Sequence, residues 1–221
     1  MNDSITVQNL KQMLNDSTYS DYVGYIEALS RDSDWFVRTE IAALLGDYQN
    51  EHAEGILLSL LHDKSYLVQV EAIDSLSSFP SDRVRNSVLH CMNSIHPLVR
   101  GYAYRCICSI CPIKELASTT EVLKSIKEKN TWARIMLLVS QLQLGDNSSL
   151  RKLEKAYKRC NYLNRIAILN GLADSFYLLS QKEKEEIRAF ANAISPASNG
   201  VAVQEAIVRL KETADDAGLS N

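Results

Sequence analysis

Apolar positions recur along the chain with the 3.6-residue period of an α-helix, and the helices they define recur in turn about every 31 residues. Three segments begin at Asp34, Ser65 and His96, and each carries a valine three residues later. Two further segments of the same kind begin at Asn130, after 34 residues, and at Asn161, after 31 more. We interpret these segments as the first helices of five helix pairs.

The residues that open these segments are suited to the start of a helix. Side chains of Asp, Ser and Asn accept hydrogen bonds from the free amides of a first turn. The exception, His96, is followed by Pro97, which is favoured at the first helical position. Second helices are predicted from further caps and from two capping boxes, in which a Glu reaches back to the cap amide. These starts are Asn50, Ser81, Asn147, Ser118-Thr-Thr-Glu121 and Ser180-Gln-Lys-Glu183.

The helix pairs predict an all-α solenoid, because each pair can bury its apolar stripe only against its neighbours. We expect a single domain over residues 1–221 with about five pairs, flanked by an N-terminal helix pair and a C-terminal helix. The predicted segments are the N-terminal pair 1–31, repeats at about 32–62, 63–93, 94–129, 130–160 and 161–195, and the C-terminal helix 196–217.

Two of these segments resemble a known family. Residues 34–46 (DWFVRTEIAALLG) and 63–73 (DKSYLVQVEAI) are similar to HEAT repeats, in which a turn Asp precedes a Val-Arg pair and an Ala-rich first helix. The resemblance extends over about residues 30–175. It implies a right-handed α-α superhelix, a HEAT-like and armadillo-type solenoid, whose second helices line the concave surface.

Arginines recur at one position of the first helices. The resemblance implies that they form a structural ladder, in which each Arg pairs with an Asp or a carbonyl of the adjacent turn, and Gln69 takes this position in the second repeat. The planar guanidinium suits such a ladder because it can make two hydrogen bonds at once. The alternative is a ridge that binds a ligand. The arginines are Arg38, Arg100, Arg134 and Arg165.

Composition narrows the classes of protein that remain. The chain has only 8 Gly and 4 Pro in 221 residues, which disfavours a β-sandwich or a Gly-rich nucleotide-binding fold. The longest uninterrupted apolar run, residues 135–139, is far shorter than a membrane span. No signal peptide is visible at the N-terminus, so we expect a cytoplasmic protein with reduced thiols and no membrane partner.

No residue cluster predicts catalysis, a metal or a cofactor. Cys106, Cys108 and Cys111 form a C-x-C-x-x-C run, but Cys106 points away from the helix face that the other two share. We therefore expect buried free thiols rather than a zinc site. Trp35 and Trp132 lie near helix starts, where each can pack between repeats or, alternatively, anchor a partner.

Charge is distributed unevenly along the chain, although the net charge is only −3. Residues 1–80 carry 4 Lys or Arg and 13 Asp or Glu, residues 81–170 carry 15 and 6, and residues 171–221 carry 5 and 8. A surface of one sign attracts a partner of the opposite sign; the alternative is a solvated polar face. The predicted groove residues on the second helices are Arg83, Arg85, Lys124, Lys127, Arg151, Lys155, Lys158 and Arg159.

These features favour a non-catalytic scaffold whose groove binds another protein with an acidic surface. One specific form of this hypothesis is an immunity protein or antitoxin that neutralises a cognate toxin. A second hypothesis is nucleic-acid binding through the basic middle repeats, against which the acidic ends and a pI near 5.8 count. A third is a DNA glycosylase, because some enzymes that recognise alkylated bases use HEAT-like arrays, and Trp132 and Arg134 resemble their sites.

Overall fold

The computed structural model describes residues 7–15, 19–194 and 200–216, which form α-helices joined by turns and short 3-10 segments, with no strand among them. The predicted all-α class is therefore confirmed. Residues 1–6 of the predicted N-terminal pair and residues 196–199 and 217 of the predicted C-terminal helix lie outside the described ranges. The helices are α1 (Val7–Asn15), α2 (Val23–Leu29), α3 (Trp35–Leu45), α4 (Glu51–Leu60), α5 (Tyr66–Leu76), α6 (Asp82–Cys91), α7 (Pro97–Ser109), α8 (Leu116–Ser125), α9 (Thr131–Gln143), α10 (Ser148–Tyr157), α11 (Tyr162–Ser175), α12 (Gln181–Ala193) and α13 (Val201–Asp216).

The chain divides into two compact units, Met1–Pro112 and Ile113–Asn221, which we call the N-terminal and C-terminal units. The division falls in the turn after α7, so the predicted repeat 94–129 contributes α7 to one unit and α8 to the other. The other predicted repeats each lie within one unit.

In the N-terminal unit the first helices pack side by side and the second helices cover them. Helix α5 contacts both α3 and α7, α4 packs on α3 and α5, and α6 packs on α7. Ile41 and Leu45 of α3, Val68 and Ile73 of α5 and Val99 of α7 are all buried. Each pair therefore completes its core with the next pair, as a solenoid requires.

The C-terminal unit has the same arrangement around one apolar core. Helix α11 contacts α9 and α13, α10 packs on α9 and α11, and α12 packs on α13. Leu142, Leu153, Leu172 and Phe176 are fully buried in this core together with Leu210 of α13.

Most helix starts lie where the sequence places them. Side-chain oxygens of Asp34, Asn50, Ser81, Asn130 and Asn161 accept hydrogen bonds from amides of the helices that follow. These bonds satisfy donors that a helix leaves free in its first turn.

The capping box predicted at Ser118 is wrong. Helix α8 begins at Leu116, so Ser118 lies inside it and its hydroxyl donates to the carbonyl of Glu115. The 3-10 turn Ile113–Glu115 runs directly into α8, which places the first helical turn earlier than the capping pattern indicates. Ser180 does precede α12, but its hydroxyl donates to the Glu183 carboxylate instead of accepting an amide.

A buried ion pair joins the first two repeats of the N-terminal unit. Arg38 is 4% exposed. It donates from Nε to Oδ2 of Asp63 at 2.6 Å and from Nη2 to Oδ1 at 2.8 Å. The pKa of Asp63 lies below its ordinary value: burial raises it, but the hydrogen bonds from Arg38 and from the Ser65 amide outweigh that effect. The two charges thus stabilise each other across the turn between α4 and α5.

The side chain at the position of Arg38 also hydrogen-bonds to the turn before its own helix, and it does so in three successive repeats. Arg38 donates to the carbonyl of Asp32 at 2.7 Å, Gln69 to that of Asp63 at 2.6 Å, and Arg100 to that of Ser94 at 2.8 Å. In each case the acceptor lies six residues before the donor. An amide therefore serves this contact as well as a guanidinium does, which explains how Gln69 fits the repeat.

Helices α9 and α11 approach each other closely through Gly171. A Cβ atom at this position would lie 2.5 Å from Cγ2 of Val139.

Gly145 ends α9, because its φ of 93° is a left-handed conformation that glycine adopts readily. Its amide donates to the carbonyl of Leu142 and the next amide donates to that of Gln141, which is the Schellman pattern.

We expect Asp63→Asn to destabilise the protein by about 3 kcal/mol at pH 7, because it leaves Arg38 buried without a carboxylate. The folded pKa of Asp63 is lowered, so its contribution is complete above the unfolded pKa of about 4 and is lost as pH falls through the folded value. The difference between wild type and variant in urea unfolding should therefore shrink from pH 7 to pH 3. Asp34→Asn is the control, because Asn caps a helix as well as Asp does. Equal stability of Asp63→Asn and wild type at pH 7 would contradict the role of the pair.

We expect Gly171→Ala to destabilise the C-terminal unit by about 1–3 kcal/mol, because the new methyl group would force α9 and α11 apart. Gly55→Ala in α4 is the matched control. Apart from its chain neighbours and the backbone of its own helix, no atom lies within 4 Å of a Cβ at that position, and alanine favours a helix over glycine by about 1 kcal/mol. Thermal unfolding should rank Gly55→Ala at or above wild type and Gly171→Ala below it. If Gly171→Ala were the more stable of the two variants, the contact between α9 and α11 at Gly171 would have room for a methyl group.

A cationic cleft in the C-terminal unit

Helix α10 buries one face and exposes a basic one. Ser149, Leu150, Leu153 and Tyr157 are buried, and the basic side chains of this segment are exposed. Residues 148–159 contain five basic residues and one acidic residue, Glu154. The pKa of Glu154 is raised by burial and by the nearby Glu186. The exposed face of α10 is therefore almost wholly cationic.

Part of this face borders a cleft with a volume of about 600 Å³ between α9, α10 and the start of α11. We call it the cationic cleft. Its lining combines four cations and three neutral hydrogen-bonding residues with one leucine, one alanine and one cysteine. The lining residues are Thr131, Arg134, Leu138, Lys152, Lys155, Ala156, Arg159, Cys160, Asn161 and Asn164.

None of the four cations of the cleft forms an ion pair in the described residues, although the nearby Asp146 carboxylate interacts electrostatically with Lys152. Arg134, Lys152, Lys155 and Arg159 are all exposed. No carboxylate lines the cleft, and Lys152 makes its hydrogen bond to the neutral hydroxyl of Ser148 at 3.2 Å. Like charges in one concavity raise the local potential, so the cleft attracts anions.

The position of Arg134 differs from the ladder that the sequence predicts. Arg38 reaches Asp63, which lies 25 residues later, whereas the residue 25 positions after Arg134 is Arg159. Arg159 therefore occupies the sequence position that Asp63 occupies in the first repeat. Arg134 is consequently exposed and lines the cleft, while Arg38 is buried in an ion pair.

Arg165 is held by carbonyl and ring contacts. Its Nε donates to the carbonyl of Tyr157 at 3.2 Å, and its guanidinium lies 5.3 Å from the centroid of the Tyr157 ring. That ring in turn packs edge-on against Phe190. Arg165 therefore contributes to packing at the start of α11 and does not line the cleft.

Capping bonds fix the walls of the cleft. Asn130 caps α9 through the amide of Ala133 at 3.1 Å, and Asn161 caps α11 through the amide of Asn164 at 3.0 Å. Asn130 is itself held by the Glu128 carboxylate, which accepts its amide at 2.8 Å. Both helices therefore begin at defined points on the rim of the cleft.

The other predicted groove cations fall into two groups. Arg83 lies 3.6 Å from Glu54, Arg85 pairs with Asp82, and Lys124 lies 3.4 Å from Glu121. Lys127, Arg151 and Lys158 are exposed and form no ion pair within the described ranges. Arg83 and Arg85 belong to the N-terminal unit, where acidic neighbours offset their charge. The unpaired cations of the predicted set belong to the C-terminal unit.

The sequence places Lys155 and Arg159 in the predicted groove and Lys152 in the same basic middle segment, but it gives no indication of Asn164. The spacing of Lys152, Lys155 and Arg159, which is three and then four residues, places these side chains on one face of α10. Asn164 gives no such signal, since it lines the cleft only because α11 packs beside α10.

The remaining candidates from the sequence are the three cysteines of the C-x-C-x-x-C run and the two tryptophans, and none of them lines the cleft. Cys106 is buried, Cys108 and Cys111 are partly buried, and all three are free thiols. Burial raises the pKa of Cys108 to about 12. No group of three or more His, Cys, Asp or Glu residues in the described ranges could hold a metal ion. Trp35 is 43% exposed, whereas Trp132 packs against the core of the C-terminal unit.

The packing of successive helix pairs defines an α-helical repeat scaffold. Residues 24–108 match the family model of HEAT repeats, which confirms over that range the resemblance seen in the sequence. The match ends before the C-terminal unit begins.

Other comparisons add no functional information. No curated protein matches this chain. Matching chains of solved structures include the crystal structure of an engineered protein that is 14% identical. The alignment covers 88% of this chain and 96% of that one, with a TM-score of 0.40. None of the described helices has the length and apolar character needed to cross a membrane.

Proposed function

We propose that the protein is a non-catalytic scaffold that binds an acidic surface of another protein through the basic face of the C-terminal unit. The observation that carries this proposal is a set of exposed cations on α10 and in the turn that follows it, which form no ion pair in the described residues and outnumber the one carboxylate of this segment, Glu154: Arg151, Lys152, Lys155, Lys158 and Arg159. Helical repeats supply a rigid support for such a surface, because each repeat is held by its neighbours.

Charge complementarity would act on both the rate and the selectivity of association. Opposite potentials steer an acidic partner toward a basic face, and they disfavour basic competitors. Lys127, which follows α8, adds a further exposed cation to this unit. Lys124 contributes once a partner's carboxylate replaces Glu121, since an exposed pair three residues apart on a helix is weak.

The specific form of this function that we propose is neutralisation of a cognate toxin by an immunity protein or antitoxin. Enzymes that act on nucleic acid carry cationic sites, and an inhibitor of such a toxin would need an acidic face. The basic face described above instead suits a toxin whose functional surface is acidic. The proposal therefore restricts the class of toxin by its charge.

Charge reversal at Lys155 and Arg159 should abolish capture of the partner. Lys155→Glu/Arg159→Glu changes the net charge by −4 and places carboxylates on the face that an acidic partner must approach, so we expect at least a ten-fold loss of recovered partner. The measurement is affinity purification from the native host with quantitative mass spectrometry, in which wild type and variant are compared protein by protein.

The matched control is Lys182→Glu/Lys211→Glu, which changes the net charge equally on α12 and α13 of the same unit. It should recover as much partner as wild type does. Equal recovery with both double variants would remove the basic face of α10 from the interaction.

Nucleic-acid binding is the second candidate, because five cations within residues 148–159 could contact successive phosphates. In that case the affinity for duplex DNA or RNA should fall about ten-fold or more between 50 and 200 mM salt, as counterions are released. Fluorescence anisotropy with labelled duplexes measures this directly. No binding at 50 mM salt, or an affinity that does not change with salt, would exclude this candidate.

A further inference from the structure

The cationic cleft occupies the place that an internal ion pair fills in the first repeat. A shift of 96 residues aligns Arg38 with Arg134, Ser59 with Lys155, and Asp63 with Arg159. In the N-terminal unit these positions border a concavity of about 430 Å³, where the Asp63 carboxylate binds Arg38. In the C-terminal unit the corresponding positions hold three cations and no carboxylate.

This exchange leaves Arg134 without the carboxylate that Arg38 has. Asp63 supplies two oxygens to one guanidinium at 2.6 and 2.8 Å. Beside Arg134 no described side chain supplies them, and Lys152, Lys155 and Arg159 add further positive charge. Four cations that repel one another in a shared concavity are stabilised by a ligand that carries more than one negative charge.

The geometry points to a small ligand that bears a phosphate or pyrophosphate group, and we propose that its oxygens take the place of the missing carboxylate beside Arg134 and Arg159. Guanidinium groups bind phosphate through two parallel hydrogen bonds, and lysines add point charges. The neutral side of the cleft offers Asn161, Asn164 and Thr131 as hydrogen-bonding groups.

The apolar part of the lining suits the organic body of such a ligand. Leu138, Ala156 and Cys160 also line the cleft and give it apolar surface. The volume of about 600 Å³ falls within the usual range of small-molecule pockets and exceeds what a single phosphate ion fills. A nucleotide-like molecule, which joins a phosphate group to an apolar or aromatic body, matches this mixed lining of cations and apolar side chains.

The inference is independent of the proposed protein partner, because a small anion would bind whether or not a protein does. Isothermal titration calorimetry with purified protein at 50 mM salt tests it, with pyrophosphate, ADP, adenosine and citrate as separate ligands. We expect ADP and pyrophosphate to bind, and adenosine and citrate to bind at least ten-fold more weakly. Equal binding of citrate would overturn the phosphate class, and no binding of either phosphate compound would overturn the site.

Two variants separate the cleft from the general charge of the unit. Arg134→Gln/Arg159→Gln should weaken pyrophosphate binding by about ten-fold or more, since it removes charged hydrogen-bond donors from the cleft. Arg151→Gln/Lys158→Gln removes the same charge from α10 at positions that do not line the cleft, and it should bind nearly as wild type does. Equal losses of pyrophosphate affinity in both variants would mean that binding depends only on the net charge of the unit.

Arg159→Asp provides the most direct test, because it recreates the pair of the first repeat. We expect the new carboxylate to bind Arg134 as Asp63 binds Arg38, so that pyrophosphate binding is lost while the melting temperature without ligand is equal to or higher than that of wild type. Retained binding would show that Arg134 and Arg159 do not share one anion. Lost binding with a lowered melting temperature would also contradict the proposed geometry.

Discussion

The turn between one helix pair and the next must satisfy its own backbone carbonyls, and the repeats of the N-terminal unit do so with one side chain from the following helix. Arg38, Gln69 and Arg100 each reach back six residues to a carbonyl of that turn. A carbonyl left without a donor in a turn that neighbouring repeats cover would cost free energy. The 31-residue period is therefore a period of hydrogen bonding as well as of apolar burial.

The arginine at this helical position also depends on the residue that the following turn places beside it, which is a carboxylate in one repeat and a cation in another. Arg38 is buried because Asp63 neutralises it, and burial of an unpaired guanidinium would be costly. Arg134 faces Arg159 instead, so both side chains remain in solvent and a cleft opens between them. Where the first repeat has a buried structural ion pair, the repeat pattern here leaves an exposed cationic cleft, which is the surface that we propose binds a ligand.

Much of the fold follows from the sequence, because it depends on local chemistry. Asp34, Asn50, Asn130 and Asn161 cap helices as predicted, since capping involves only residues near one another in the chain. The start of α8 is the exception, because a 3-10 turn extends the helix backwards past Ser118.

The candidate site is less predictable, because charge in a sequence does not show which charges are paired. Lys155 and Arg159 were expected to belong to a basic surface, and they do line the cleft. Arg83 and Arg85 were expected there too, but they have Glu54 and Asp82 beside them. The carboxylate partner of Arg83 lies 29 residues away on another helix, so only the packing of α4 on α6 reveals the pair.

The close contact between α9 and α11 also affects how the cleft can bind a ligand. Helices α9 and α11 approach so closely at Gly171 that Val139 leaves no room for a methyl group. That contact and the caps at Asn130 and Asn161 position the two helices independently of any ligand. A preformed site loses less conformational entropy on binding than one that must be assembled. An anion bound as we propose would then reduce the repulsion among the four cations without requiring that α9 and α11 move.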